Sequence, residues 1–332
     1  MQKVRHDLDA TDRRITAVLL ASPRASWRRV AEVLGVSERT VVRRAAPLFH
    51  DRTLRATAVR NPARFPHLIP TVLRIRCRPN RIATIATGLA RRPDTIWVDI
   101  LGGGDEICVV LFVNGRDARN KLLLHDLPAT AAVRSWTSYD LLKVFPVGFA
   151  WSAGVLSREE SGQLWPSVDA PAGTFTPLPD DEALIDALVE DSRMTYGELA
   201  RRTGRTPRSV RHRLDALVEG HVVRLATEVD LSLLGVHAEA LLWITADPGA
   251  LEETGQLLSR HPQVRFTAAT TGSSSLLVAV AAIDLSALYT FLTATVGALP
   301  HISGLEVTPI LAGVKRTGLV RPASIPTPRW PS

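Results

Sequence analysis

The sequence predicts an α+β protein in which one unit, three short helices followed by a βαββαβ domain, occurs twice. Three observations predict this fold. A shift of 169 residues brings two long stretches of the chain into register, helical periodicity marks the start of each stretch, and strand periodicity marks its later part. The length of 332 residues is well above the roughly 100 to 150 residues of a typical single domain, so the chain has room for two such units.

Each unit begins with three helices and has a glycine between the second and the third. Gly35 and Gly204 stand where a tight turn requires positive φ, which glycine adopts at little cost. Ser37 and Thr206 follow as typical helix N-caps, and residues 195–198 have the spacing of a capping box. This pattern predicts two helix-turn-helix units of the winged-helix type.

The third helix of each unit carries the candidate DNA-binding residues, because such a helix fits the major groove. Val210 and Leu214 predict its buried side, which leaves an outward face where arginine can bind guanine. The residues predicted on this face are Arg208, Ser209, Arg211 and His212. The candidates are Ser37, Arg39, Thr40, Arg43 and Arg44 in the first copy and Thr206, Arg208, Ser209, Arg211, His212 and Arg213 in the second. Arg44 and Arg213 lie at the helix flank and are assigned to phosphate. Pro47 predicts that the first of these helices ends early.

The distribution of charge indicates an anionic partner, for which double-stranded DNA is the leading choice. The net charge is +7, and residues 1–60 alone hold 13 Lys+Arg against 6 Asp+Glu. Residues 201–213 contain six arginines and no acid. A basic helix is also compatible with a merely solvated face, but two copies that each follow a glycine turn favour DNA binding.

The second part of each unit alternates strands and helices in the βαββαβ order of the ferredoxin-like fold. The predicted elements are strands 68–77, 95–101, 107–113 and 133–144 with helices 80–91 and 117–127, and strands 238–245, 264–269, 276–282 and 304–311 with helices 251–259 and 285–296. Helices cover one face of each sheet, so we expect the other faces to pair.

The resulting domains are a helix-turn-helix domain (1–60), a ferredoxin-like domain (66–146), a linker (147–179), a second helix-turn-helix domain (180–230), a second ferredoxin-like domain (236–316) and a proline-rich tail (317–332). The linker is expected to lack regular structure, and the tail to be an extended strap or disordered.

This combination of domains, with a last strand around residues 301–308, resembles the Lrp/AsnC (feast/famine) family of transcriptional regulators. The resemblance implies a sequence-specific DNA-binding regulator whose βαββαβ domains pair and often bind an amino acid at the turn after the second strand. The family's turn reads Gly, two variable residues, then Asp, whereas this chain has Glu106 and Ser275 in the Asp position. The effector residues this implies are Gly103, Asp105, Glu106, Gly272, Ser273 and Ser275. A glycine hairpin without a ligand is the alternative for both turns.

Because members of that family carry one unit and dimerise, the chain is interpreted as a tethered pair. We expect either an intramolecular pseudo-dimer or a homo-oligomer. The two recognition helices differ in sequence, so the operator should be asymmetric, with half-sites about 34 Å apart or a multiple of that distance.

Two other functions compete with this reading. Siroheme decarboxylases share the two-domain plan and depend on histidine and arginine, but here His67, His125, His237, His261 and His301 are scattered without metal-ligand spacing, so no enzyme, metal or cofactor is expected. A sensing or scaffold protein with decayed DNA-binding units is favoured by Pro47 and by the acidic balance of residues 171–230.

Apolar stretches of about eight residues are too short to span a membrane, and two cysteines with no apolar leader favour the cytoplasm.

Overall fold

The computed structural model describes residues 8–145, 151–164 and 178–321, and the order of elements within them repeats as the shift of 169 predicts. The first copy contains α1 (Ala10–Ala21), α2 (Trp27–Leu34), α3 (Glu38–His50), β1 (Arg55–Arg60), β2 (Leu68–Cys77), α4 (Ile82–Arg91), β3 (Thr95–Leu101), β4 (Glu106–Asn114), α5 (Gly115–Lys121), α6 (Leu127–Ala129) and β5 (Val133–Val144). After α7 (Arg158–Leu164), the second copy contains α8 (Glu182–Glu190), α9 (Tyr196–Thr203), α10 (Pro207–Glu219), β6 (Val223–Glu228), β7 (Ala238–Ala246), α11 (Leu251–Ser259), β8 (Val264–Thr270), β9 (Leu276–Ala282), α12 (Leu285–Thr290), β10 (Ile302–Arg316) and β11 (Leu319–Val320). The predicted α+β class is confirmed.

Both three-helix units are built around apolar side chains at helical spacing. Ile15, Val41 and Leu48 are fully buried in the first unit, and Leu188 and Val210 are fully buried in the second. Gly35 and Gly204 close the second helix of each unit with φ of 64° and 65°, as the turn requires.

The prediction that Pro47 shortens the third helix is wrong. α3 runs through Pro47 to His50 and has 13 residues, the same length as α10. Ala45 and Leu48, both with 0% exposure, flank the proline and hold the helix against the core on either side of it. Burial of these side chains therefore offsets the hydrogen bond that proline cannot donate.

Eight strands, four from each copy, close into a continuous ring. The first copy contributes β3-β4-β2-β5 and the second β8-β9-β7-β10, and the ring closes through pairing of β5 with β8 and of β10 with β3. The last strand of the second copy is longer than the predicted 304–311 because residues as far as Lys315 continue onto β3. Each copy therefore covers the free strand edge of the other, where unpaired backbone would otherwise meet solvent.

The predicted pairing of the two sheet faces takes place inside the single chain. A buried cluster joins Val72, Leu101 and Tyr139 of the first copy to Leu241 and Trp243 of the second. Separate clusters lie between each sheet and its own helices. The two copies thus share a core of their own in addition to the hydrogen bonds between their strands.

One strand pair was not predicted from the sequence. β1 and β6, which follow the two recognition helices, pair antiparallel with Arg55 opposite Glu228. Ala58 and Phe65 complete the core of the second helix-turn-helix unit, while Val229 and Leu231 complete that of the first. Each DNA-binding unit is therefore packed against chain from the other copy.

The linker contains regular structure that its composition did not suggest. α7 contacts α1 and α2, and the described part of the linker packs on the core of the first helix-turn-helix unit through Trp151, Leu156 and Leu164. Ser157 and Glu160 form reciprocal caps, with Glu160 N donating to Ser157 Oγ at 3.1 Å and Ser157 N donating to Glu160 Oε2 at 2.8 Å. This Ser-x-x-Glu capping box is the sequence signal that the linker prediction overlooked. Residues 317–321 of the predicted tail are described, and Leu319–Val320 form β11, which pairs antiparallel with β10. The prediction for residues 322–332 lies outside the described residues.

Candidate nucleic-acid interface

The recognition helices α3 and α10 begin with the same cap in both copies. Ser37 Oγ accepts from Thr40 N at 3.1 Å, and Thr206 Oγ1 accepts from Ser209 N at 3.2 Å. Ser37 and Thr206, both predicted for DNA binding, therefore fix the start of the helix. Their exposure also leaves the hydroxyls at the surface that precedes the arginines.

Four arginines on these helices are exposed and make no side-chain hydrogen bond or ion pair with the part of the chain that the structure describes. They are Arg39 and Arg43 on α3 and Arg208 and Arg211 on α10. A guanidinium without an internal partner keeps all five donors available for phosphate or base acceptors. His212 and Ser209 are exposed beside them, whereas Thr40 is half-buried and bonds to Ser37.

Arg44 and Arg213, predicted to bind phosphate, instead form ion pairs within their own units. Arg213 Nε donates to Asp181 Oδ1 at 2.6 Å, and Arg44 contacts Asp12 Oδ1 at 3.4 Å and Asp9. Asp181 is fully buried; burial would raise its pKa, but the hydrogen bonds from Arg213 and from Leu178 N lower it. These contacts connect the recognition helix to the start of the first helix of its unit. They leave fewer guanidinium donors of either arginine available to a phosphate.

The acidic partners of these arginines were not predicted from the sequence. Asp12 and Asp181 are equivalent under the shift of 169, as are Arg44 and Arg213. A carboxylate and an arginine retained at matching positions of both copies would have indicated a structural pair. Their role is therefore to orient the helix that carries the exposed arginines.

The exposed faces of the two recognition helices differ in chemistry. Arg39 and Arg208 are equivalent, but Glu38 of α3 stands where α10 has Pro207, and Val42 stands where α10 has Arg211. Val42 is 41% exposed. At these two positions α3 presents an acid and an apolar side chain, whereas α10 presents a proline and a guanidinium. The two helices therefore cannot present identical contacts to DNA.

The turn of the first copy that carries Gly103, Asp105 and Glu106 lies against the other copy. Glu106 accepts from Arg74 Nε at 2.7 Å, and the same guanidinium bonds to Glu306 of β10 at 2.7 Å. Burial would lower the pKa of Arg74, but the two carboxylates raise it. The turn thus has two carboxylates and one guanidinium at the junction of the copies.

The corresponding turn of the second copy is satisfied internally. Ser275 Oγ accepts from Ala246 N at 2.8 Å, and Ser273 O accepts from Thr245 Oγ1 at 3.2 Å. Gly272 has φ of 97°, and a Cβ at this position would lie 2.8 Å from the ring of Tyr139. The polar atoms and the space that an effector would use are largely taken here.

The described residues contain no cluster of three or more His, Cys, Asp or Glu side chains able to hold a metal ion. His261 lies beside Phe291, and burial lowers its pKa, whereas His301 faces Asp247 at 3.5 Å. His67 packs against Phe65. These three histidines therefore have separate neighbours within the part of the chain that the structure describes. No helix in the described ranges is long and apolar enough to cross a membrane.

Comparison with known proteins gives matches to both kinds of domain. The model of the AsnC-type helix-turn-helix domain matches residues 8–48, a winged helix-turn-helix DNA-binding model matches 181–224, and the Lrp/AsnC ligand binding domain matches 239–320. An uncharacterized HTH-type transcriptional regulator of Pyrococcus horikoshii is 30% identical over 142 residues, which is 42% of this chain and 89% of that protein. The transcriptional regulator AzlB of Bacillus subtilis is 28% identical over 41% of this chain and 90% of its own. The crystal structure of the siroheme decarboxylase NirDL covers 93% of both chains with a TM-score of 0.58 at 13% identity, a likeness of fold.

Proposed function

Because the chain belongs to the Lrp/AsnC family of transcriptional regulators, we propose that it reads an asymmetric operator with two different recognition helices held in one polypeptide. The proposal takes double-stranded DNA as the partner, an intramolecular pseudo-dimer as the functional unit, the cytoplasm as the location, and no catalytic activity. The reading residues are Arg39 and Arg43 on α3 and Arg208, Ser209, Arg211 and His212 on α10.

The observation that carries the proposal is that the equivalent Arg39 and Arg208 have no side-chain partner among the residues that the structure describes, while the flanking pair, Arg44 and Arg213, is used to orient the helices. An unpaired guanidinium on an exposed helix is available for bidentate contact with guanine. The differences between Glu38 and Pro207 and between Val42 and Arg211 support two half-sites of different sequence.

Selection of binding sites from random duplex DNA tests the proposal, with the wild type compared with Arg39→Ala/Arg43→Ala and Arg208→Ala/Arg211→Ala. Arg116→Ala/Arg134→Ala, which removes two exposed arginines of the first ferredoxin-like domain, is the control for lost charge. We expect a bipartite motif in which each helix variant blurs a different half, at a cost of about 1 to 3 kcal/mol for each arginine that reads a base. Enrichment of no motif by the wild type, or the same change in both variants, contradicts the proposal.

For the effector, the proposal assigns an amino acid to the turn of the first copy. Asp105 supplies a carboxylate for an ammonium group, while Glu106 and Arg74, which bind each other in this structure, would exchange part of their ion pair for contacts with the effector. The turn of the second copy is disfavoured because Ser275 and Gly272 are engaged by the protein itself.

Thermal unfolding in the presence of each of the common amino acids tests this assignment. A stabilising amino acid should lose its effect in Glu106→Gln and keep it in Ser273→Ala. Loss of the effect in Ser273→Ala alone would move the site to the second copy.

The fold shared with NirDL supports a second candidate function, that of an enzyme acting on a tetrapyrrole. The scattered positions of His67, His261 and His301 weigh against it. Absorbance spectra of the purified protein titrated with an iron porphyrin distinguish the two, because a bound tetrapyrrole shifts the main absorption band of the ligand and a DNA regulator leaves it unchanged.

A further inference from the structure

The two helix-turn-helix units contact each other through a pair of equivalent arginines. Arg24 lies in the turn between α1 and α2, and Arg193 lies in the turn between α8 and α9. Arg193 Nη1 donates to Pro23 O at 2.7 Å and to Ala25 O at 3.2 Å. Each arginine thus reaches the turn that contains the other.

The reciprocal contacts follow the same register. Arg24 Nη1 donates to Ser192 O and, at 3.0 Å, to Met194 O. Ser192 and Met194 are the residues that the shift of 169 aligns with Pro23 and Ala25. The hydrogen bonds between the units therefore have approximate twofold symmetry.

Aromatic rings complete both contacts. The Arg193 guanidinium lies 4.0 Å from the ring centroid of Trp27, and the Arg24 guanidinium lies 5.0 Å from that of Tyr196, the equivalent residue. Burial and the nearby charge of Arg24 lower the pKa of Arg193 to about 10. The two guanidinium groups carry like charges and are partly buried, which costs free energy. Hydrogen bonds to the four carbonyl oxygens and contacts with the two aromatic rings offset this cost.

We infer that Arg24 and Arg193 act as positioning residues that fix the separation and orientation of α3 and α10, and that they thereby set the spacing between operator half-sites. Each arginine lies next to the second helix of its unit, and each unit is further packed on the β1–β6 pair, as in the hydrogen bonds from Thr57 Oγ1 to Val189 O and from Thr227 Oγ1 to Leu19 O, both 2.7 Å. With the arginine contacts in place, the units move as one body. This inference rests on the proposed DNA-binding function.

Distance measurement by pulsed electron paramagnetic resonance tests the inference without DNA. Spin labels at Ala46→Cys and Asp215→Cys occupy equivalent exposed positions on the two recognition helices, and the native Cys77 and Cys108 are buried and protected from labelling. We expect one narrow distance distribution in the labelled parent and a broad distribution after Arg24→Ala/Arg193→Ala. An equally narrow distribution at the same distance overturns the inference, whatever the outcome of the DNA selection. Circular dichroism and the single variants Arg24→Ala and Arg193→Ala verify that broadening does not come from unfolding.

Binding to duplexes with a varied spacer then measures the consequence for recognition. Insertion or deletion of one or two base pairs, about 3.4 Å each, should weaken wild-type binding at least about tenfold. The affinity of Arg24→Ala/Arg193→Ala for duplexes of different spacer length should differ by less than about threefold, while its preference for the half-site sequences is unchanged. Arg116→Ala/Arg134→Ala should behave as the wild type. If Arg24→Ala/Arg193→Ala prefers the same spacer length as the wild type, the inference is contradicted but the proposed DNA-binding function is not. If the wild type itself shows no specific binding, the proposed function is contradicted.

Discussion

Arg74 of β2 lies over the ring of Trp243 of β7, with 4.7 Å between the guanidinium carbon and the ring centroid. The shift of 169 makes these two residues equivalent, so they meet where an axis relating the two copies passes through the shared core. Two identical copies would place two arginines or two tryptophans there. The copies have instead diverged into a cation and an aromatic ring, a pair that stabilises one copy against the other.

This relationship predicts that Trp243→Arg destabilises the protein strongly. Trp243 is 1% exposed, and Glu106 and Glu306 are already bound to Arg74, so a second guanidinium would be buried without a counterion. We expect the free energy of unfolding to fall by about 3 to 5 kcal/mol, measured by urea denaturation. The control Trp243→Phe keeps an aromatic ring and should lose less than half as much. Equal losses in both variants would show that volume, not charge, dominates at this position.

The ion pair between Arg213 and buried Asp181 predicts different effects of replacing two neighbouring arginines of α10. Replacement of Arg213 should lower stability, whereas replacement of Arg211 should weaken DNA binding. Arg213→Ala leaves a carboxylate with 0% exposure whose remaining partners are Leu178 N and, 3.7 Å away, the Arg205 guanidinium. It should lower the free energy of unfolding by about 2 to 4 kcal/mol. Arg211→Ala, at an exposed position, should change it by no more than about 0.5 kcal/mol while it weakens DNA binding. Urea denaturation and fluorescence anisotropy with a labelled duplex measure the two effects. An unaffected stability of Arg213→Ala would contradict the structural role of the pair.

Asp99 predicts a dependence of stability on pH. Its fully buried carboxyl has a pKa raised to about 7, chiefly by burial, although Arg316 lies 2.8 Å away. Because the folded protein holds this proton more tightly than the unfolded chain, the contribution of Asp99 is fully present below about pH 4 and is lost as the pH rises through 7.

The variant Asp99→Asn isolates this effect because its amide does not titrate. The free energy of unfolding of the wild type minus that of the variant should fall by about 2 to 3 kcal/mol between pH 5 and pH 8. Urea denaturation at the two pH values gives the difference. A constant or rising difference would mean that Asp99 remains ionised beside Arg316 throughout.

The sequence predicted the elements of each copy because local signals specify them. Ser37, Thr206 and the capping box at Thr195 set helix starts, and alternating apolar residues set most of the strands. The family, the fold class and the regulatory function inferred from this order are confirmed by the comparisons.

The contacts between the copies were harder to predict, because their partners are far apart in sequence and carry no local periodicity. The β1–β6 pair joins segments separated by about half the chain, and the crossing of β10 onto β3 has no signal in either strand alone. The ion pairs of Arg44 and Arg213 were missed because sequence gives the exposure of an arginine only through helical periodicity. The DNA-contacting and effector residues themselves stay predictions.

The number of chains bound to one operator tests the central claim most directly. Sedimentation velocity of the protein with a duplex that carries one selected bipartite site gives the mass of the complex. The account predicts one 36.2 kDa chain per duplex, because both recognition helices and all eight strands of the ring come from one polypeptide. Two chains on the same site, each engaged through a single recognition helix, would contradict it.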